Sequence, residues 1–408
     1  MANTKPPHIV VLSSLFPSSI QPGAGLFIRE RMFRVARQLP VTVVAPTPWF
    51  PLQSLIRRFK PHFRPGAPHH ESQSGIDVWF PRFLSVPGVF KKLDGLMMAL
   101  CALPRLRRLK ESGQLDIIDA HFAYPDGYAA SLLSRWLKVP FTITLRGTET
   151  RHVQDQRFAG LLLQAVSRAA RVFSVSESLR QLLISHGASP QQIEVVGNGV
   201  DTSRFTPQDR EACRKTLGIS NQAPVLISVG GLVPRKGFHR VIEVLPQIRK
   251  HHPDLRFLIV GGASAEGNNR TELEHQVKTL GLEECVSFLG PKRPEELSSI
   301  LSAADVFVLA TSNEGWANVF LEAMACGLPV VTTDVGGNKE VVSDDSLGIV
   351  VPFGDSEALH QAITSSLQRD WDRQQIRRYA EQNAWDERVE RLKGHFLHIA
   401  NRARGQHG

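Results

Sequence analysis

Residues Glu314-Gly-Trp-Ala-Asn-Val-Phe-Leu-Glu322, continuing as Ala-Met-Ala-Cys-Gly327-Leu-Pro329-Val-Val331, carry the reading of this chain. The run before them, Ala304-Asp-Val-Phe-Val-Leu-Ala310, has the length and β-branched content of a buried parallel strand. Gly327 suits a helix C-terminus and Pro329 forbids continuation, so the spacing predicts a helix over 318–326 with Asn318 as its N-cap. Glu314 then lies on the loop at the carboxyl end of a strand, and Glu322 in the early turns of the helix. The first N–H groups of the helix point into the space between the two carboxylates. Such an anion site between two hydroxyl-accepting carboxylates suits a sugar joined to a diphosphate. The plainer alternative is a pair of exposed helix carboxylates.

On both sides of this stretch short apolar runs alternate with amphipathic ones. In the first half, strand candidates fall at 8–13, 41–45, 76–81, 117–121, 141–145, 172–175 and 193–196, with helical stretches such as 25–38 and 123–137 between them. Residues 46–75 break the pattern with six prolines, reading as an irregular excursion or short helices. A polar stretch at 201–223 suits a linker. The alternation restarts at 225–229 and continues through 256–260, 286–289, 306–309, 330–333 and 348–351. Strands alternating with helices predict parallel, doubly wound sheets, here in two Rossmann-like α/β domains facing across a cleft. The expected domains are 1–203 and 204–379, with a last helix over 371–400.

The 408 residues, 42% hydrophobic, suffice for two ordinary cores. No run of eighteen apolar residues and no secretory leader pattern is evident, so a cytoplasmic location is expected. Cys101, Cys213, Cys285 and Cys326 lie far apart and suit neither a disulfide framework nor a zinc site. Adjacent histidines such as His69-His70 have no carboxylate at ligand spacing, and no metal is expected. The net charge of +9 is uneven: residues 1–200 hold 24 Lys and Arg against 12 Asp and Glu, and residues 51–110 hold 11 against 3. With Phe50, Leu55, Ile56, Phe59 and Phe63 interleaved among cations such as Arg57, Arg58 and Lys60, this fits an anionic membrane surface. It equally fits an ordinary solvated basic face. Nucleic acid is disfavoured, because no recognition helix, zinc spacing or aromatic RNA motif accompanies the charge.

Four segments resemble retaining glycosyltransferases of family 4, which have the GT-B fold. The first is Glu314–Glu322 with its continuation to Glu340. The second is Gly230-Gly231-Leu-Val-Pro-Arg235-Lys236-Gly237, a strand-to-helix turn of the kind that binds phosphates. The third is Asp119-Ala-His121-Phe-Ala-Tyr-Pro-Asp126-Gly127, and the fourth runs from Leu15 through Gly23 and Gly25 to Glu30. The resemblance implies that Glu314 contacts donor-sugar hydroxyls and that Glu322 holds the ribose. Lys236 would meet the diphosphate, with Arg235 as second cation, because Gly231 stands where many relatives carry an arginine. Gly315, Asn318, Gly231, Gly23 and Gly25 complete the donor-binding set, although Gly23 and Gly25 suit a plain tight turn equally well. His121 matches a family histidine that reaches the sugar, and a satisfied structural histidine is its alternative. Arg146 replaces another family histidine, and Glu149 is left to face the acceptor.

The resemblance therefore implies a retaining transferase that moves a sugar from a UDP- or GDP-sugar to a glycan or lipid-linked acceptor, with a C-terminal helix over about 380–408 that returns to complete the first domain. The work would be cell-surface polysaccharide or glycolipid synthesis, peripheral at the inner membrane face. The nucleotide-sugar is a substrate, so no cofactor is implied. The alternatives are a non-catalytic nucleotide-sugar-binding subunit of an assembly system, a GT-B sugar-nucleotide epimerase, and a peripheral membrane scaffold.

Overall fold

The apolar runs of the first half become the strands of one sheet, and those of the second half become another. The computed structural model describes residues 5–51, 53–59, 64, 66–264 and 266–405. Lys60 and Phe63 of the basic segment lie outside the described residues. The chain divides into two compact units, residues 1–198 with 386–408, and residues 199–385. The expected boundaries stand at 203/204 and 379/380.

In the first unit the strands are β1 (Ile9–Leu12), β2 (Val41–Val44), β3 (Thr47–Trp49), β4 (His70–Gln73), β5 (Ile76–Trp79), β6 (Arg82–Leu84), β7 (Ile117–His121), β8 (Phe141–Leu145), β9 (Arg171–Ser174) and β10 (Ile193–Val195). The main sheet runs β10-β9-β8-β7-β1-β2-β5-β4, parallel except for the edge pair β4–β5. Every residue of β1, β7 and β8 is buried, as expected where helices cover both faces of a parallel sheet. Ile9 pairs with Val41 on one side and Ile117 on the other, so the chain reverses its winding direction between β1 and β7.

The irregular excursion is more ordered than its prolines suggested. It contains β3, the helix Gln53–Phe59 and β4, and β3 pairs with β6 as a separate two-stranded ribbon. The helix expected over 123–137 begins at Tyr128, after a tight turn over Ala123–Gly127 with a cis Tyr124–Pro125 bond.

The second unit contains β11 (Val225–Val229), β12 (Arg256–Val260), β13 (Val286–Gly290), β14 (Val306–Leu309), β15 (Val330–Thr333) and β16 (Gly348–Val351), all parallel in the order β13-β12-β11-β14-β15-β16. Here the winding reverses between β11 and β14. Both units are thus doubly wound α/β folds of Rossmann type.

The single helix expected over 371–400 is two, Arg373–Gln382 and Trp385–Gly405. The second, after its first residue, belongs to the first unit. Phe396 meets Phe173 edge to face at 6.1 Å, His395 Nε2 lies 2.7 Å from Glu194, and Arg404 reaches Asp116 at 3.0 Å.

Candidate functional site

Ligands of open α/β sheets collect beyond the carboxyl ends of strands where the winding direction reverses, because adjacent loops part there. In the second unit that place lies beyond β11 and β14, and it gathers the residues of both leading motifs. Lys236 Nζ donates to Glu314 Oε1 at 2.5 Å, and Arg235 Nη1 donates to the same oxygen at 3.0 Å. Arg235 also forks onto Glu266, with Nε and Nη2 donating at 2.8 and 2.6 Å. These bonds to Glu266, aided by the charge of Glu314, hold the guanidinium pKa above its ordinary value despite partial burial.

The two loops are stitched to each other by their backbones. Ser312 N donates to Arg235 O at 2.8 Å, and Thr311 Oγ1 donates to the same carbonyl at 3.0 Å and to Glu314 Oε1 at 3.3 Å. Gly336 has φ +53°, and a Cβ there would stand 1.8 Å from the Glu314 carbonyl oxygen. Gly337 N donates to that oxygen at 3.2 Å. The backbone at Glu314 is therefore fixed by the turn after β15, while its carboxylate is fixed by the turn after β11.

Glu322 is half-buried on the helix Asn318–Ala325, and Gly315 is buried in the loop before it. Asn318 is not the cap expected of it. Ala317 holds that position without a side-chain bond, and Asn318 is the first helical residue. A Cβ on Gly231 would come within 3.1 Å of Ser264 Cβ, because Leu232 N is bonded to Gly262 O. The glycine thus lets the loop after β12 close against the turn.

Sequence reasoning missed Thr311, Glu266 and the clamp at Gly336-Gly337. Their effect is on loop conformation, which no hydrophobic period reports. Trp316, also missed, carries a buried indole N–H with no partner among the described residues.

The first unit reverses its winding beyond β1 and β7, where hydrogen bonds join His121, Arg146 and Glu149. His121 is completely buried. Its Nδ1 accepts from Arg146, at 2.9 Å from Nη2, and its Nε2 faces Asp119 Oδ2 at 3.3 Å without good hydrogen-bond alignment. Burial drives the imidazole pKa down to about 4, opposed by Asp119 and reinforced by Arg146 and Arg31. The ring is turned inward, where it accepts from Arg146.

Arg146 is likewise an internal connector. Its Nη1 donates to Asn198 Oδ1 at 2.7 Å, and burial, then the nearby Arg31, depresses its pKa far below the ordinary value. Glu149 is buried, and its two oxygens accept the backbone N–H groups of Ala123, Arg146 and Gly147 at 3.0, 3.1 and 2.7 Å. It ties three loop positions together.

Arg31, from the helix Leu26–Val35, is fully buried beside this network, and neither terminal nitrogen has a partner among the described residues. Asp126 joins the loops beyond β1 and β7: its carboxylate accepts from Ser14 N and, at 3.0 Å, from Ser14 Oγ. Burial raises the Asp126 pKa to about 7, with Ser14 opposing the rise and Glu149 adding to it. Gly25 opens the helix at φ +68°, where a Cβ would meet Leu15 O at 2.5 Å, whereas Gly23 has nothing within 4 Å. Among the described residues, no three His, Cys, Asp or Glu side chains gather as metal ligands.

The Glycosyl transferases group 1 family matches residues 209–383, and Glycosyltransferase Family 4 matches residues 23–204. Among curated relatives, the D-inositol 3-phosphate glycosyltransferase of Corynebacterium urealyticum is 34% identical over 68% of this chain and 70% of its own. TuaC of Bacillus subtilis, named provisionally as a glycosyltransferase of teichuronic acid biosynthesis, is 29% identical over 87% of this chain and 88% of its own. Among solved structures, Anabaena Alr3699/HepE in complex with UDP superposes with TM-score 0.71 at 21% identity, over 94% of this chain and 98% of that one. Sucrose-phosphate synthase from Thermosynechococcus elongatus gives 0.73 at 20% identity, over 98% and 99%.

Proposed function

This chain belongs to glycosyltransferase family 4 and is a glycosyltransferase of the GT-B type, and from that premise we propose a retaining enzyme that uses a UDP- or GDP-sugar. Its acceptor is a glycan or lipid-linked sugar of cell-surface polysaccharide or glycolipid synthesis. The observation that supports this reading best is the convergence of Arg235 and Lys236 on Glu314, beyond the carboxyl ends of β11 and β14.

In this reading Lys236 and Arg235 turn from Glu314 to the diphosphate. The bond between the anomeric carbon and the phosphate oxygen breaks, and the phosphate keeps the electron pair. The acceptor oxygen bonds to the same face of that carbon, and its proton passes to the leaving phosphate. Fixed cations are worth most where charge develops in a site partly withdrawn from water, which is the role given to Lys236 and Arg235. Glu314, relieved of its cations, orients sugar hydroxyls, and Glu322 accepts from the ribose. Gly315 and Asn318 bring backbone N–H groups to the donor. With the two cations meeting the leaving group, the reaction calls for no metal or other cofactor. A cytoplasmic location belongs to the same proposal.

Thermal stability with UDP, GDP or ADP, for the wild type and for Glu322→Ala, tests the donor site. A ligand at a hundred times its dissociation constant adds about 2.7 kcal/mol. Stabilisation by UDP or GDP that weakens in the variant is expected; none by any of the three at millimolar concentration sinks the reading. Release of nucleoside diphosphate on adding acceptor separates an enzyme from a binding subunit.

A further inference from the structure

Of the two cations that meet Glu314, the Lys236 side chain has that carboxylate as its one hydrogen-bond partner among the described residues, whereas Arg235 has three partners. Arg235 Nη1 donates to Asn313 O at 2.8 Å and to Glu314 Oε1 at 3.0 Å. Nε and Nη2 donate to the two oxygens of Glu266 at 2.8 and 2.6 Å, the parallel geometry that matches a guanidinium edge to a carboxylate. When Glu314 gives up its cations to a ligand, Lys236 keeps no fixed partner, but Arg235 keeps three of its four bonds.

Glu266 arrives from the segment between β12 and the helix Arg270–Thr279, and the backbone holds that segment against the turn after β11. Leu232 N donates to Gly262 O at 2.8 Å, and Asn269 N donates to Leu232 O at 2.8 Å. Ser264 and Gly267 exchange backbone bonds at 2.9 and 3.1 Å, and Glu266 N donates to Ser264 Oγ at 3.2 Å. The approach depends on Gly231, where a Cβ would press on Ser264 Cβ at 3.1 Å. The glycine that leaves position 231 without a cation thus also admits the segment that steadies the cation at 235.

The pair does not serve to charge Arg235, because a guanidinium is protonated with or without a carboxylate beside it. Nor does it hold the fold: the Glu266 side chain is 52% exposed, and ion pairs so open to water contribute little to stability. What the fork fixes is the direction of a long side chain with many rotamers.

We propose that Glu266 is a positioning residue for the transfer reaction. It holds Arg235 by the Nε–Nη2 edge, so that Nη1 stays aimed at the place where Glu314 Oε1 now lies and the donor's diphosphate arrives. The proposal rests on the donor-site reading above and deepens it. A side chain held in advance is not ordered at the moment of binding, which strengthens affinity about three- to tenfold.

Calorimetric titration of the full chain with UDP, UMP, GDP and GMP tests it. Glu266→Ala should weaken the diphosphate that binds about fivefold and leave the matching monophosphate within about twofold. The terminal phosphate, which carries the leaving oxygen, is the one the cations meet, so a residue that merely propped the site open would affect both ligands alike. Glu266→Gln, which keeps one acceptor for the fork, should lose less than Glu266→Ala. In an Arg235→Met background Glu266→Ala should change nothing further, because the two act as one unit. The melting temperature of Glu266→Ala should move by less than about 2 °C, so lost affinity is not lost folding. Tighter diphosphate binding by Glu266→Ala overturns the proposal, since Glu266 would then compete for Arg235 instead of aiming it. Equal losses for diphosphate and monophosphate overturn it too, as do losses that add to those of Arg235→Met. If Arg235→Met weakens the diphosphate and Glu266→Ala does not, the donor-site reading stands and this proposal alone fails; if no nucleotide binds the wild type, both fail.

Discussion

Substituting Glu314→Gln should affect stability and ligand affinity in opposite directions. In the folded chain one carboxylate oxygen holds two cations, at 2.5 Å from Lys236 and 3.0 Å from Arg235. The Glu314 side chain is 10% exposed, that of Lys236 15% and that of Arg235 30%. Removing one partner of a fully buried pair costs about 3–5 kcal/mol, and of an exposed pair about 1 kcal/mol or less. The half-open cluster falls between, at about 2 kcal/mol. A unit of this size melts about 2–4 °C lower per kcal/mol, so a fall of about 4–8 °C is expected by scanning fluorimetry.

Inorganic pyrophosphate, however, no longer has to draw the cations from a carboxylate. Its dissociation constant should drop about tenfold by calorimetry, a gain of about 1.4 kcal/mol. Transfer from an intact nucleotide-sugar should slow, because the amide cannot hold sugar hydroxyls as a carboxylate does. An unchanged melting temperature together with weaker pyrophosphate binding would refute the argument, by showing that Lys236 and Arg235 do not exchange Glu314 for phosphate.

Two further outcomes are expected in the first unit. His121, with its pKa at about 4 against 6.5 unfolded, takes up its proton on unfolding, so its contribution is lost as pH falls from about 6.5 to 4. Asp126, at about 7 against 3.8 unfolded, keeps its proton when folded, so its contribution is lost as pH rises through about 7. The two slopes oppose each other between about pH 4 and 6.5. Asp126→Asn, which copies the protonated carboxyl toward Ser14, should raise the melting temperature above pH 7 and steepen the loss in acid; parallel profiles for variant and wild type would contradict this. Gly25→Ala should cost at least about 2 kcal/mol in urea denaturation, because its left-handed backbone also crowds Leu15, while Gly23→Ala should stay within about 0.5 kcal/mol. Equal costs at the two positions would show that the close approach of Leu15 is unimportant.

The parts of the fold legible in the sequence are those whose burial leaves a mark at every residue. β1 and β14 are continuous apolar runs because parallel strands are covered on both faces. The ribbon of β3 and β6 was illegible, because three residues with exposed ends carry no period, and each strand has meaning only beside the other. At the site, Glu314, Lys236 and Arg235 were legible as a set because strand ends bring their loops together. Glu149 shows the opposite case. A carboxylate after Arg-Gly-Thr reads as a functional group until its oxygens are found occupied by three backbone N–H groups, and loop path alone decides that. For His121 the resemblance marks the position, but the loop path alone decides that the ring is fully buried and accepts from Arg146.

The return of the helix Trp385–Gly405 to the first unit bears on how the protein is made. As the chain leaves the ribosome, residues 1–198 emerge first but wait for the last segment before Phe173 receives Phe396 and Asp116 receives Arg404. The second unit is continuous from 199 to 385 and has all its parts before the helix Trp385–Gly405 emerges. Domains that emerge first usually fold first. Here the later-born unit is complete sooner, and a nascent chain that has emerged as far as residue 385 would carry a finished α/β unit behind an N-terminal sheet with one flank still open to chaperones.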